Sequence, residues 1–312
     1  MVLGLGHLSP LAGVLLFSLV SGLALWIVLN FAPLSCAARL AVWASLAALT
    51  SVGGSQNGAL LGSFIIGRLF VAETSPFLGG LILGLATVKP QLGLLVPFYW
   101  LAAERWRAAF GAAVAAGALI FLSLLLFPLS LWRDFLTDVL RYMAHLGEVL
   151  TGKTSDTPRA MIASSLSMAR RLGAGAEGAN IVQIFSSSLA IIGAIWLGRC
   201  QALPVRARLG GLLILGPLSA PYIWCYDMIS ASCGAVLLLV EFKPPSLLPS
   251  LFLGLAWIAP GVALYDAMFG IRSFMPLWLV AGFCTWFAAW HKQQTFNNKR
   301  FQPPGLHVKG KK

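Results

Sequence analysis

The sequence predicts an all-α polytopic membrane protein with about eight to ten membrane helices, short or re-entrant ones included. Three observations carry that reading. Of 312 residues, 58% are hydrophobic and only 10% charged, whereas an ordinary soluble domain has about 25% charged residues. The mean hydropathy is +0.84. Apolar runs then recur along the chain at 11–31, 40–52, 59–71, 77–101, 108–129, 181–197, 209–218, 228–240, 247–264 and 275–290. A helix needs about 20 residues to cross a bilayer, so the short runs fit as helices inside a bundle or as re-entrant pieces.

The formal charge of +12 does not indicate nucleic acid. Residues 291–312 hold Lys292, Lys299, Arg300, Lys309, Lys311 and Lys312 and no acid, the pattern of a cytoplasmic anchor. A nucleic-acid footprint needs a basic face on a soluble fold with base-reading groups. The expected division is one integral membrane domain over 1–291, with an extracytoplasmic segment at 130–180, and a basic cytoplasmic tail at 292–312. Cys36, Cys200, Cys225, Cys233 and Cys284 form no CxxC pair, and the four histidines lack metal-ligand spacing; no metal and no cofactor is expected. The first Lys or Arg is Arg39, although an apolar run starts by Leu11. The N-terminus therefore lacks the basic region of a signal peptide and reads as beginning inside a longer design.

Short-loop Lys and Arg set the orientation. Arg105 and Arg107, the group Arg199, Arg206 and Arg208, the link at Lys243 and the tail are placed in the cytoplasm, and 130–180, 217–227 and 265–273 on the outside. Before residue 102 two topologies remain open. If 77–101 is one broken span, the Gln56-Asn57 turn is inside; if it is a re-entrant hairpin with its tip at Lys89, that turn is outside and Arg39 and Arg68 are cytoplasmic. Counting positive charges favours the hairpin, whose arms of about 12 residues would each reach roughly 18 Å.

Within that run, Gly84-Leu85-Ala86-Thr87-Val88-Lys89-Pro90-Gln91 places an ammonium, a helix breaker and an amide among apolar residues. A cation at membrane depth costs roughly 2.5–3.5 kcal/mol on insertion scales, which makes an intramembrane Lys a functional candidate. Pro90 removes a backbone donor and disfavours helical geometry at Lys89. Such a break persists only where it faces protein or a water-filled cavity. A compact ammonium there suits a phosphate or carboxylate; the bland alternative is a Lys that snorkels to the nearer interface.

From 132 to 180 the ionisable residues crowd together, with helical periodicity over 132–150 and a second amphipathic piece over 158–172. Two short helices on the membrane face are expected, against the alternative of a solvated loop. Further on, Pro217 and Pro221 end one span, and Tyr222, Trp224 and Tyr226 precede Asp227, which opens the next. Asp near a helix start is favourable as a cap alone. Three aromatics beside one carboxylate also suit stacking on a sugar and accepting its hydroxyls.

These residues resemble glycosyltransferase family 87, of the C-type superfamily. The resemblance rests on Gly54-Ser55-Gln56-Asn57, the Gly84 to Gln91 stretch closed by Glu104-Arg105-Trp106-Arg107-Ala108, and Ser219-Ala220-Pro221-Tyr222 followed by Tyr226-Asp227. It implies an enzyme similar to mycobacterial mannosyltransferases, in a bacterial plasma membrane, moving a mannose-like hexose from a polyprenyl-phosphate donor to a lipid or glycan acceptor at the outer face. A carboxylate would deprotonate the acceptor and cations would stabilise the departing phosphate. Lys89 and Arg159 are the donor-phosphate candidates; Gln56, Asn57, Gln91, Tyr222, Trp224, Tyr226 and Asp227 are the substrate-binding candidates. The family's outward loop with an acidic base has no counterpart, since no acid precedes Glu73. A fragment or an inactive homologue would show that departure, and the catalytic acid stays unassigned.

Two other classes compete. A transporter or flippase for a lipid-linked substrate also uses broken helices, normally paired in two related halves; the Lys89-Pro90 break shows no clear partner in the second half. A non-catalytic assembly subunit would account for the missing acid but not for polar residues gathered on one side.

Overall fold

The computed structural model describes residues 8–139, 142, 161–242, 244, 246–269 and 274–300. Among them the secondary structure is helical, with a single isolated β-bridge between Ile162 and Trp224. The helices are α1 Pro10–Phe31, α2 Cys36–Trp43, α3 Leu46–Gly53, α4 Gly58–Thr74, α5 Pro76–Leu85, α6 Leu95–Ala102, α7 Trp106–Leu126, α8 Leu129–Asp134, α9 Ser165–Arg171, α10 Ala176–Arg199, α11 Val205–Leu215, α12 Ile229–Val236, α13 Leu247–Phe269 and α14 Met275–Arg300. The last helix runs without interruption past residue 292, where the sequence reading divides domain from tail.

Three helices are long and apolar enough to cross a membrane: α1, α7 and α10. A fourth span arises if α2 and α3 count together, bent by 53°. Shorter apolar stretches at Pro76–Val88, Ile229–Glu241 and Leu247–Val262 complete the bundle. The protein is thus an all-α polytopic membrane protein, and α7, apolar along nearly all its length, leaves most of its surface uncovered by the rest of the bundle.

Neighbouring helix ends sort into two sides. Ser35 donates its backbone N–H to Glu241 at 2.9 Å. Arg105, just ahead of α7, pairs with Glu73 at the end of α4 at 2.7 Å. Phe31, Glu73 and Arg206 line one shared cavity. The ends carrying residues 31–35, 73, 105, 206 and 241 therefore lie together. The opposite ends, near residues 54–58 and 216–227, meet at the other side: Gly58 opens α4 so close to the Tyr226 carbonyl that a Cβ there would strike it.

That arrangement bears on 77–101. The chain leaves α5 through two 3-10 turns, Ala86–Val88 and Pro90–Gly93, before α6. Gly80 packs on Ala108 and Ala112 of α7, and Gly84 on Ala115 and Ala116, so α5 and α7 run parallel. Since α6 leads back into α7 through the turn at Glu104, α5 and α6 form a helical hairpin, its feet joined by Glu73 and Arg105 and its tip at the break. Arg68, expected at the cytoplasmic end, is instead fully buried. It sits six residues inside the end of α4, beneath Gly93 of the hairpin.

The helical periodicity over 132–150 is met by α8 and a π-helical turn at Phe135–Val139; the rest of that stretch lies outside the described residues. For 158–172 the described helix is α9, capped by Ser164, whose hydroxyl accepts the Ser167 N–H at 3.2 Å.

Candidate functional site

Lys89 and Asp227, 138 residues apart, meet as a forked ion pair: the ammonium lies 2.9 Å from one carboxylate oxygen and 3.1 Å from the other. Each side has a local cause. Pro90 opens the hairpin tip and leaves Lys89 at φ −133°, ψ 75°, outside helical geometry. Asp227 closes a 3-10 turn, Cys225–Asp227, where its carboxylate also lies 3.4 Å from the Trp224 backbone N–H. Its side chain is 1% exposed and that of Lys89 is 19% exposed, so the pair is reached from the lysine side.

Aromatic rings form the wall beside it. The Tyr226 ring centre lies 5.3 Å from the Lys89 ammonium, within range of a cation–π contact. Trp224 stacks on Tyr226 with centroids 5.8 Å apart and an interplanar angle of 10°. The turn that carries them is pinned by the bridge to 161–163, in which Ala163 donates to the Ile223 carbonyl at 2.7 Å and Cys225 to the Met161 carbonyl at 2.9 Å. Tyr222 is half-buried on the same turn.

The Gln56-Asn57 turn reaches this side through Gly58. Ser51 holds it, accepting the Ala59 N–H at 2.7 Å and donating to the Gln56 carbonyl at 3.1 Å. Ser55, at φ 50°, bonds Ser18 of α1 at 2.7 Å. The Asn57 side-chain oxygen is buried without a hydrogen-bond partner among the described residues. Gln56 turns back to the Gly54 carbonyl at 3.2 Å. Gln91 is partly buried in the second 3-10 turn, and no hydrogen bond ties it to Lys89 or Asp227. Arg159 lies outside the described residues. No cluster of three or more His, Cys, Asp or Glu is present among the described residues.

The hairpin break does have a partner in the second half. A 3-10 turn, Gly216–Ser219, ends α11 at Pro217 and touches the Pro90–Gly93 turn. Its carbonyls are met by α10: Gln183 donates to the Leu218 carbonyl at 3.1 Å, Ser186 to the same oxygen at 3.1 Å, and Ser187 to the Ser219 carbonyl at 3.0 Å. Gln183 also accepts the Leu166 N–H at 3.0 Å, tying α9 in. The sequence reading overlooked this seam; its signal is the i, i+3, i+4 spacing of Gln183, Ser186 and Ser187 on one face of an apolar helix.

Fold and site together define an integral membrane protein whose two broken helices meet at one side of the bundle, beside a half-shielded ion pair and stacked aromatics. The model of glycosyltransferase family 87 matches residues 1–221, and the chain belongs to that family of membrane glycosyltransferases. The match takes in Lys89 and the Gln56-Asn57 turn and stops before Tyr222 and Asp227. No curated protein and no solved structure matches the chain.

Proposed function

We propose that the protein transfers a hexose, mannose-like, from a polyprenyl-phosphate donor to a hydroxyl of a lipid or glycan acceptor at the outer face of a bacterial plasma membrane, with its C-terminus in the cytoplasm. The observation that carries this reading is the Lys89–Asp227 pair beside the Trp224–Tyr226 stack. A donor phosphate arriving from the exposed side of Lys89 takes over part of its charge and loosens the hold on Asp227. The freed carboxylate accepts the proton of the acceptor hydroxyl as its oxygen bonds to the anomeric carbon. The bond from that carbon to the phosphate oxygen breaks, and the polyprenyl phosphate departs with its charge against Lys89. Tyr226 and Trp224 offer a flat apolar face to the sugar. Asp227 is the carboxylate this reading uses because it is the one paired with Lys89.

A transport reading gains the second break, which removes one argument against it. Family membership favours the transferase.

The test is a cycle of Lys89→Met, Asp227→Leu and the double variant, read by thermal unfolding in mild detergent and by transfer from polyprenyl-phosphate-mannose. Removing one partner strands a shielded charge, so each single variant should be less stable; the double should recover much of that loss. Transfer should fall at least about a hundredfold in all three. A double variant that is stable and transfers at the parental rate would show that the pair is only a clasp.

A further inference from the structure

On the side opposite the Lys89–Asp227 pair, an open cleft of about 460 Å³ lies between the end of α1, the end of α4 and the start of α11. Ligand sites commonly measure about 300–1,000 Å³. Phe31, Phe70, Val71, Val205 and Leu209 give the cleft apolar walls, and Glu73, Thr74 and Arg206 supply its polar groups. Phe31 is 86% exposed, and Ile27 and Leu23, on the same face of α1, are 44% and 52% exposed. An apolar row left open along a membrane helix thus leads into the cleft.

The two charged residues of the cleft do not meet each other. Glu73 gives one carboxylate oxygen to Arg105 at 2.7 Å, and its other oxygen has no hydrogen bond among the described residues. Arg206, exposed in the first turn of α11, has neither a hydrogen bond nor an ion pair among the described residues. Glu241, a second acid at this side, accepts the Ser35 N–H at 2.9 Å and does not line the cleft. The helix ends add the same signs. The carbonyl end of α4 has no basic residue in its own last turn, and no side chain caps the N–H end of α11; partial negative charge gathers at the first and partial positive charge at the second. One wall therefore favours a cation and the other an anion. Opposite charges that line one space without closing on each other fit a ligand that carries both signs.

We propose that this cleft holds one phospholipid with a zwitterionic, primary-ammonium headgroup, of the phosphatidylethanolamine class. Its phosphate lies at Arg206 and the first N–H groups of α11, its ammonium donates to the free oxygen of Glu73, and an acyl chain follows the row from Phe31 toward Leu23. An anionic headgroup would bring no cation to Glu73, and a choline headgroup has no N–H to donate. The site lies away from the Lys89–Asp227 pair and stands independently of sugar transfer.

The experiment is native mass spectrometry of the delipidated full chain in detergent, titrated separately with dioleoyl phosphatidylethanolamine, phosphatidylcholine and phosphatidylglycerol. One equivalent of phosphatidylethanolamine should bind about fivefold more tightly than either of the others. Glu73→Gln should bring it down to the level of phosphatidylcholine, and Arg206→Gln should weaken all three lipids by about fivefold. Arg105→Gln breaks the same ion pair but keeps the Glu73 carboxylate, so it should bind phosphatidylethanolamine at least as tightly as the parental protein. Equal affinity for the three lipids, tightest binding of phosphatidylglycerol, or an unchanged preference in Glu73→Gln would each overturn the proposal. An equal loss in Arg105→Gln and Glu73→Gln would assign the effect to the ion pair and refute the headgroup contact. Thermal melts without added lipid check that the variants are folded. Should the charge variants fail to fold, Val71→Trp, which fills the cleft and alters no charge, decides: it should abolish the bound equivalent, and undiminished binding would overturn the site.

Discussion

At the first break, Pro90–Gly93, the irregular backbone sits beside a charged side chain whose partner comes from the far half of the chain; at the second, Gly216–Ser219, it sits against a row of neutral side chains from one neighbouring helix. The two turns are in contact and face the same physical demand, since backbone that leaves helical geometry at membrane depth must find hydrogen bonds inside the protein. Gln183, Ser186 and Ser187 answer that demand at the second break with three bonds of 3.0–3.1 Å. At the first, the polar group present is an ammonium engaged with a carboxylate. Neutral donors suffice to hold a break in place. A forked ion pair with one partner still accessible does more than that requirement asks, and this is the contrast on which the proposed transfer chemistry rests.

The largest way to disturb that contrast without touching the charges is at Gly58, where α4 begins against the Tyr226 carbonyl. Gly58→Ala puts a methyl group where no space exists, so the 224–227 turn must shift and carry Asp227 with it. Stability should drop by about 1–3 kcal/mol, and transfer per folded molecule by tenfold or more because the carboxylate leaves its register with Lys89. Circular dichroism melts and transfer rates on the same preparation check both. A stable variant with parental transfer would show that the turn can move without consequence for the chemistry.

The second break should respond in the opposite sense. Gln183→Leu removes a donor to the Leu218 carbonyl and an acceptor for the Leu166 N–H, both buried. Leaving such groups unpaired costs about 1–3 kcal/mol each at most, and Ser186 still reaches the Leu218 oxygen. The expected outcome is a stability loss of about 1–3 kcal/mol with transfer per folded molecule within about twofold of parental. A large catalytic loss at unchanged stability would mean that the seam belongs to the site.

Much of this contrast was legible from residue order. Lys89 stood out because charge in an apolar run has few bland explanations, and Asp227 because an acid followed three aromatics. Their direct pairing was not legible, since nothing in a linear sequence states which distant carboxylate an ammonium will meet. The seam on α10 was missed for a different reason. Gln and Ser in an apolar helix raise little alarm, and Pro217 looked like the end of a span when it was the second broken helix. Arg68 misled more thoroughly, because positive residues near span ends count as cytoplasmic markers, yet its distance inside α4 and the close approach of Gly93 bury it. Composition and hydropathy, in contrast, were enough for the all-α membrane class, because they reflect the solvent and not the pairing of particular groups.

The smallest expected effect compares the Lys89–Asp227 pair with a second ion pair among the described residues, Glu73–Arg105. Its distance of 2.7 Å is shorter, but its side chains are 24% and 32% exposed, against 1% and 19% at the candidate site. Water and salt reach the feet of the hairpin and screen the attraction, so distance is a poor guide to energy here. A double-mutant cycle on Glu73→Gln and Arg105→Gln should give a coupling of about 0.2–1 kcal/mol that falls as salt rises, with transfer unchanged. Arg105 also lies 3.5 Å from the Ala72 carbonyl, so its single substitution should cost slightly more than that of Glu73. The same cycle on Lys89 and Asp227 should give a larger coupling that salt hardly alters, because one partner is shielded. Similar couplings and similar salt dependence at the two pairs would remove the distinction between a clasp at the hairpin's feet and a working pair at its tip.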